Sequence, residues 1–155
     1  MKQVPIWRLR IGQSIANPLV SAWDIVWTRD QGPPRLAEVR RELLSTGAWA
    51  GSPFQFVVQN RQSFRRRLVE LDSHDHPVLH EIRSAGGTDY LALPLNYGNG
   101  VTQAVSIVSV AVEGFSAEHV TILERLLPFV GAALEPHAMR RATSSLLATY
   151  IGRGP

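Results

Sequence analysis

The sequence predicts an α+β domain in which helices flank an antiparallel sheet and a long helix ends the chain. Three observations predict this class. Residues 88–97 and 101–112 are β-rich segments joined by Gly98-Asn99-Gly100, the pattern of a hairpin. Apolar residues recur at helical spacing from Val120 to Leu134. The chain has 155 residues, the length of one ordinary domain.

The first two predicted elements are a strand and a helix. Residues 18–27 are rich in β-forming side chains, and a turn-rich loop ends this strand. Residues 34–44 predict a helix, because Pro34 suits a first helical turn. The apolar residues of this segment recur at helical spacing and are Leu36, Val39 and Leu43.

Three short elements follow. Residues 53–59 form an apolar run that periodicity does not assign, and we expect a helical turn or an edge segment. Residues 63–69 predict a basic strand. Residues 76–85 predict a helix with Pro77 in its first turn and Gly86-Gly87 after its end.

The terminal helix is expected to begin after Ser116, a good N-cap residue. Pro136 should kink or break this helix, because proline has no N–H to donate and clashes with the preceding turn. The break would divide the chain into a globular domain, residues 1–135, and a C-terminal helix, residues 136–155.

The composition excludes several kinds of site and location. Without cysteine the chain has no disulfide, thiol nucleophile, thioether-linked chromophore or Cys-ligated metal centre. The longest apolar run, residues 126–134, is too short to cross a membrane, and the N-terminus lacks a signal-peptide core. We therefore expect a cytoplasmic protein. The net charge of +3 permits an anionic partner.

A histidine-rich segment contains the densest group of potential metal ligands. His74, His76 and His80 alternate with Asp72 and Asp75, and the last two histidines would share one helical face. The aspartates also suit the start of a helix, where they accept bonds from free N–H groups. We favour this second interpretation and predict no metal and no cofactor.

The triplet Arg65-Arg66-Arg67 is the main basic cluster. Alternation along a strand points Arg65 and Arg67 to one face and Arg66 to the other. An inward arginine could bind a phosphate or carboxylate ligand, or form a structural ion pair with Asp89 or Glu70. No nucleic-acid-binding motif occurs, so we predict no such partner.

Aromatic side chains could line a small-molecule cavity beside the sheet or simply fill the core. Asp89 and Tyr90 are the best polar candidates, because a buried aspartate needs partners and the arginines supply them. The predicted ligand-binding residues are Trp27, Phe56, Arg65, Arg67, Asp89 and Tyr90.

The terminal helix is apolar on both sides of Pro136, with a shift of phase that a single sheet cannot follow. At least half of the residues from Val120 to Leu134 should pack on the sheet. The helix also predicts a homodimer, whose pairing would depend mostly on residues 139–150. The predicted dimer residues are Leu123, Leu127, Met139, Leu146 and Tyr150.

No catalytic motif is present. The chain has no nucleophile elbow and no phosphate-binding loop, and no spacing supports a hydrolase built from His80, Glu81 and a serine. We predict no catalytic residues. A ligand-free structural dimerisation module and a small stand-alone enzyme remain open as alternatives.

Six short segments follow one another along nearly the whole chain: Ser52-Pro53, residues 64–68 (FRRRL), 76–79 (HPVL), 87–91 (GTDYL), 114–118 (GFSAE) and 147–152 (LATYIG). Together they resemble the N-terminal GAF-like regulatory region of bacterial class III adenylate/guanylate cyclases. The most specific unit is the GTDYL segment with the preceding helix.

This resemblance implies a GAF-like sensor domain that controls cyclic nucleotide synthesis in signal transduction. It implies that a segment like residues 148–153 leads into the linker before a cyclase catalytic domain, which residues 1–155 do not contain. It also implies control through paired exit helices, because a class III cyclase site forms between two catalytic domains.

Overall fold

The computed structural model describes residues 3–14, 20–40, 42 and 46–150. Within them, six strands form one antiparallel sheet in the order β3-β2-β1-β6-β5-β4. The strands are β1 (Arg8–Ser14), β2 (Val20–Thr28), β3 (Arg35–Arg40), β4 (Phe64–Arg67), β5 (Asp89–Asn96) and β6 (Thr102–Ser109). The helices are α1 (Pro53–Asn60), α2 (Pro77–Ser84) and α3 (Ala117–Tyr150). A short 3₁₀ helix, Leu68–Glu70, follows β4. The α+β class and the long terminal helix are confirmed.

The two faces of the sheet are covered by different helices. Odd-numbered residues of β5, such as Leu91 and Leu93, pack with Leu123 on the face that α3 covers. Tyr90 and Ala92 pack on the opposite face against α1, α2 and the 3₁₀ helix. Both faces are buried because β5 is apolar at nearly every position rather than at alternate ones.

The hairpin of β5 and β6 closes with a three-residue loop. Tyr97 donates its N–H to Val101 and accepts from Gly100, and Gly100 has a φ of 84°. This is a turn followed by a residue in the left-handed conformation, which glycine adopts without steric cost. The predicted hairpin is confirmed, and the left-handed position falls on Gly100 alone.

Local capping accounts for the two short helices. The Ser52 side chain accepts from the N–H of Gln55, and Pro53 occupies the first turn of α1. The His76 ring accepts from the N–H of Val78 at the start of α2. The expectation of a helical turn at residues 53–59 and the predicted helix at 76–85 are confirmed.

The predicted helix at residues 34–44 is wrong where the chain is described, because Arg35–Arg40 forms β3. Its backbone pairs with the free edge of β2, with Leu36 opposite Ile25, and this pairing overrides a weak helical spacing. Residues 41 and 43–45 lie outside the described residues. Strand β1 was not predicted at all.

The sequence predicted a kink or a break at Pro136, and there is no break, because α3 runs for 34 residues through both Pro128 and Pro136. Each proline removes one hydrogen bond and frees the carbonyl four residues earlier. Both prolines and those carbonyls, on Glu124 and Ala132, belong to exposed residues, where water can replace the lost bonds.

Candidate functional site

The most enclosed charged group lies where β4 and β5 meet the start of α3. Asp89 is fully buried, and its Oδ2 accepts from Nη2 of Arg65 at 2.7 Å and from the N–H of Phe115 at 2.9 Å. Arg67 lies 3.5 Å from the same oxygen. Three donors therefore share one carboxylate oxygen. Of the two ion-pair partners that the sequence left open, Asp89 and Glu70, these arginines pair with Asp89.

The same two arginines also hold the loop that leads into α3. Arg65 donates to the carbonyl of Phe115, and Arg67 donates to that of Val112 at 2.8 Å. Gly114 has a φ of 68°, and a Cβ there would overlap Arg67 Nη1 and Asp89 Oδ2. The loop is therefore fitted closely around the ion pair, which places the first residue of α3.

The first turn of α3 is closed by a reciprocal cap. The N–H of His119 donates to Ser116 Oγ at 3.2 Å, and the N–H of Ser116 donates to Nδ1 of His119 at 3.2 Å. This is the arrangement of a capping box with histidine in the place of glutamate. The N-cap prediction for Ser116 is confirmed.

Arg66 points to the other face, as alternation predicted. Its Nε and Nη2 donate to the two carboxylate oxygens of Asp75 at 2.9 and 2.7 Å, and Nη2 also donates to the carbonyl of Glu70. The hydrogen bond from Arg66 lowers the pKa of Asp75 to about 2, and it raises the pKa of Arg66. This pair ties β4 to the loop before α2.

The histidines of the segment before α2 are spread over separate partners. His76 Nε2 lies 2.9 Å from the carbonyl of Gly47, and His80 Nε2 lies 3.0 Å from that of Asp72. His74 is exposed. Among the described residues no group of three or more histidine, aspartate and glutamate side chains could hold a metal ion.

The sheet separates the six predicted ligand-binding residues into two sets. Trp27 alternates with Ile25 and lies on the α3 face, as do Arg65, Arg67 and Asp89. Tyr90 lies on the opposite face in an edge-to-face chain with Phe64 and Phe56, and burial raises the pKa of Tyr90 to about 12. The structure brings only the two arginines and Asp89 together.

Helix α3 carries two apolar stripes. One packs against the sheet and consists of Val120, Leu123, Leu127, Val130, Leu134 and Ala138. The other is exposed at Leu126 (51%), Phe129 (74%), Met139 (54%) and Leu147 (51%). Of the predicted dimer residues, Leu123 and Leu127 therefore lie on the core side, Met139 is exposed and Leu146 is half-buried. The side chain of Tyr150 lies outside the described residues.

A groove of about 470 Å³ opens on the face opposite α3. It is lined by Trp7, Arg8, Thr28 and Arg35, among others, and by none of the six predicted ligand-binding residues. Sequence reasoning missed Arg8 and Arg35. The signal for Arg8 was the alternation of Arg8-Leu9-Arg10-Ile11, which is typical of a strand with one charged face.

No protein-family model matches the chain. No curated protein matches it either. In none of the described helices is there a segment long and apolar enough to cross a bilayer.

Solved structures do resemble the chain. It is similar to the GAF domain of a two-component sensor histidine kinase from Bacillus halodurans, with a TM-score of 0.60 and 14% identity over 87% of this chain and 85% of that chain. It is also similar to the PixJ GAF domain of Thermosynechococcus elongatus in its blue-light-absorbing form, with a TM-score of 0.54 and 9% identity over 94% and 83% of the two chains. A GAF domain of Synechocystis in its photoproduct state gives a TM-score of 0.52 and 15% identity over 94% and 87%.

These similarities show the fold. The six-stranded antiparallel sheet with flanking helices and a long C-terminal helix is the GAF fold, as the sequence predicted. At identities of 9 to 15% the likeness does not extend to a ligand or an activity. The link to class III cyclases stays a prediction.

Proposed function

We propose that this chain is a regulatory sensor domain that dimerises through α3 and transmits its state along that helix. The observation that carries the proposal is the second apolar stripe of α3. Phe129 is 74% exposed and Leu126 is 51% exposed, while the first stripe already covers the sheet. A paired helix from a second copy would bury these side chains in an isologous interface.

The attachment of α3 to the sheet supports a transmitting role. Its start is held through the Asp89 cluster, which consists of Asp89, Arg65 and Arg67. Farther along, Glu135 accepts the N–H groups of Gly98 and Asn99 at the hairpin tip. Since both attachments are polar contacts with β4, β5 or the hairpin, a change in the sheet would move α3. A ligand would cause such a movement only if it bound with different affinities to two arrangements of α3 relative to the sheet.

Sedimentation velocity tests the dimer. We expect dimers for the wild type and monomers for Leu126→Asp and Phe129→Asp, because each places a charge in an apolar interface. Val112→Asp is the matched control, since Val112 is 80% exposed but lies outside α3, and it should remain dimeric. A monomeric wild type, or dimers that survive both α3 substitutions, would contradict the proposal. Leu123 is unsuitable for this test because it belongs to the core.

We further propose that the domain acts in the cytoplasm on a class III adenylate/guanylate cyclase catalytic domain in its parent protein. The support is that the FRRRL, GTDYL and GFSAE segments resemble the regulatory region of such cyclases. The parent protein should form cyclic AMP or cyclic GMP from ATP or GTP with Mn²⁺, and Phe129→Asp should reduce this activity. The isolated chain should form neither product. Turnover by the isolated chain, or none by the parent, would contradict this assignment.

A ligand-free dimerisation module is the second candidate. It is favoured by Asp89, whose buried carboxylate already accepts from Arg65, Arg67 and the N–H of Phe115 and is therefore not available to a ligand. A thermal-shift screen with nucleotides, cyclic nucleotides, carboxylates and tetrapyrroles separates the two candidates. Saturable stabilisation supports the sensor, and its absence supports the module.

A further inference from the structure

The groove of about 470 Å³ combines two arginines with an aromatic ring. Arg8 lies opposite Thr28 on β2, and Arg35 lies opposite Val26, two residues earlier on the same strand. Both arginines therefore stand on the same sheet face, one on each side of β2. Strand spacing and rise place their Cα atoms about 12 Å apart. Two long side chains at that separation can reach one small ligand between them.

The two arginines differ from their neighbour Arg10 in having no counter-charge. Arg10 lies on the same face of β1 and donates from Nε and Nη2 to Asp24. Within the described part of the chain, the side chains of Arg8 and Arg35 make no hydrogen bond and no ion pair. The groove therefore has an uncompensated positive charge, which attracts an anion.

The walls of the groove supply an apolar surface next to this charge. Trp7, Val26 and Pro33 line it, and the Thr28 hydroxyl adds a further donor. Guanidinium groups bind phosphate and carboxylate in a planar, two-bonded geometry. Pockets for small molecules commonly combine an apolar wall with a few polar anchors of this kind.

We propose that this groove binds a small organic anion, with its phosphate or carboxylate between Arg8 and Arg35 and its apolar ring against Trp7 and Val26. The inference rests on the proposed function, because it names the ligand class to which the sensor would respond. It differs from the predicted ligand site, which used Arg65, Arg67 and Asp89.

Isothermal titration calorimetry with four probes tests the proposal. 1-Naphthyl phosphate and 1-naphthoate carry both the ring and the charge. The one that binds more tightly shows whether the groove prefers a phosphate or a carboxylate. 1-Naphthol carries the ring alone, and inorganic phosphate carries the charge alone. We expect saturable binding of at least one charged aryl probe. The two controls, 1-naphthol and inorganic phosphate, should bind at least about tenfold more weakly. No saturable binding of either charged aryl probe would overturn the proposal.

Substitutions assign the binding to the groove. Arg8→Gln and Arg35→Gln should each weaken binding about tenfold, since each removes charge-assisted hydrogen bonds. Arg125→Gln, at an exposed position on α3, should change it less than about twofold. The affinity of Arg8→Lys should fall between those of the wild type and Arg8→Gln, because lysine retains the charge but not the planar geometry. If Arg8→Gln and Arg35→Gln bind the aryl anion as tightly as the wild type, the proposal is overturned.

The outcome is separable from that of the proposed function. Thermal unfolding of each variant should resemble that of the wild type, because neither arginine side chain makes a hydrogen bond or an ion pair in the described chain. Anion binding by a monomeric wild type would contradict the dimer and support the groove. A dimer that binds neither aryl anion would contradict the groove and leave the dimer supported.

Discussion

The carboxylate of Asp89 is fully buried and bonded to Arg65, whose Nη2 lies 2.7 Å from Oδ2 and also donates to the carbonyl of Phe115. One guanidinium thus connects the first residue of β5 to the residue just before the cap of α3. The arginine side chain is itself 37% exposed, so it can hold the charge at modest desolvation cost while the carboxylate is enclosed. This pair couples the sheet to the helix by which we propose the domain signals.

Replacing Asp89 by asparagine should destabilise the fold by about 2–3 kcal/mol, because charge-assisted hydrogen bonds to Arg65 and Phe115 weaken. Urea unfolding measures the change. Glu113→Gln is the control, since Glu113 is exposed in the same loop, and it should change stability by less than about 0.5 kcal/mol. Equal effects of the two substitutions would show that the Asp89 cluster does not stabilise the start of α3.

Gly114→Ala should cost about 2–4 kcal/mol, because it combines a left-handed backbone with overlap against Arg67 and Asp89. Gly51 is a matched control. Its φ is 73°, and apart from its chain neighbours no described residue has an atom within 4 Å of the position of an added Cβ. Gly51→Ala should therefore cost only the backbone term of about 1–2 kcal/mol. Chemical unfolding of both variants gives the difference, and a Gly114→Ala value no larger than that of Gly51→Ala would refute the tight fit of the loop.

Glu135→Ala should loosen the hairpin tip from α3. The two carboxylate oxygens accept from the N–H groups of Gly98 and Asn99 at 2.8 and 3.0 Å. The site is exposed and water can replace them, so we expect a loss of about 1 kcal/mol. Amide hydrogen exchange at Gly98 and Asn99 should accelerate several-fold, whereas Glu124→Ala should leave it unchanged. Unchanged exchange in Glu135→Ala would show that this contact does not persist in solution.

The pair of Arg66 and Asp75 predicts a pH-dependent contribution to stability. The pKa of Asp75 falls from 3.8 to about 2 on folding, so the folded protein binds this proton less readily than the unfolded chain. The contribution is present above pH 3.8 and is lost as the pH falls towards 2. Unfolding curves of the wild type and Asp75→Asn should therefore converge over this range. A stability difference that does not narrow with acid would contradict the assignment.

The sequence predictions were right for elements that depend on signals within their own segment and wrong for an element that depends on pairing with another strand. The hairpin and α2 depend on local signals, namely the Gly98-Asn99-Gly100 loop and the cap of His76 with Pro77. Strand β3 depends instead on the free edge of β2, which residues 35–40 do not encode. The helical spacing of Leu36 and Val39 was therefore overridden by pairing with a neighbouring strand outside the segment itself.

The candidate site shows the same division. Alternation along β4 was sufficient to predict that Arg65 and Arg67 face together, but it left Asp89 and Glu70 both open as ion-pair partners, and the structure has Asp89. It could not predict that Trp27 and Tyr90 lie on opposite faces of the sheet, because the order and register of the strands decide this. The groove at Arg8 and Arg35 was missed for the same reason, since it joins three strands.

The sequence by itself determined the class of fold, the hairpin, the capped start of α3 and the exclusion of cysteine chemistry, because these follow from composition and from contacts between residues close along the chain. Only the tertiary structure decided which stripe of α3 is core and which is exposed, since both have the same helical spacing. It also decided that α3 continues past Pro136, because the cost of a proline depends on whether water can reach the carbonyl that it frees.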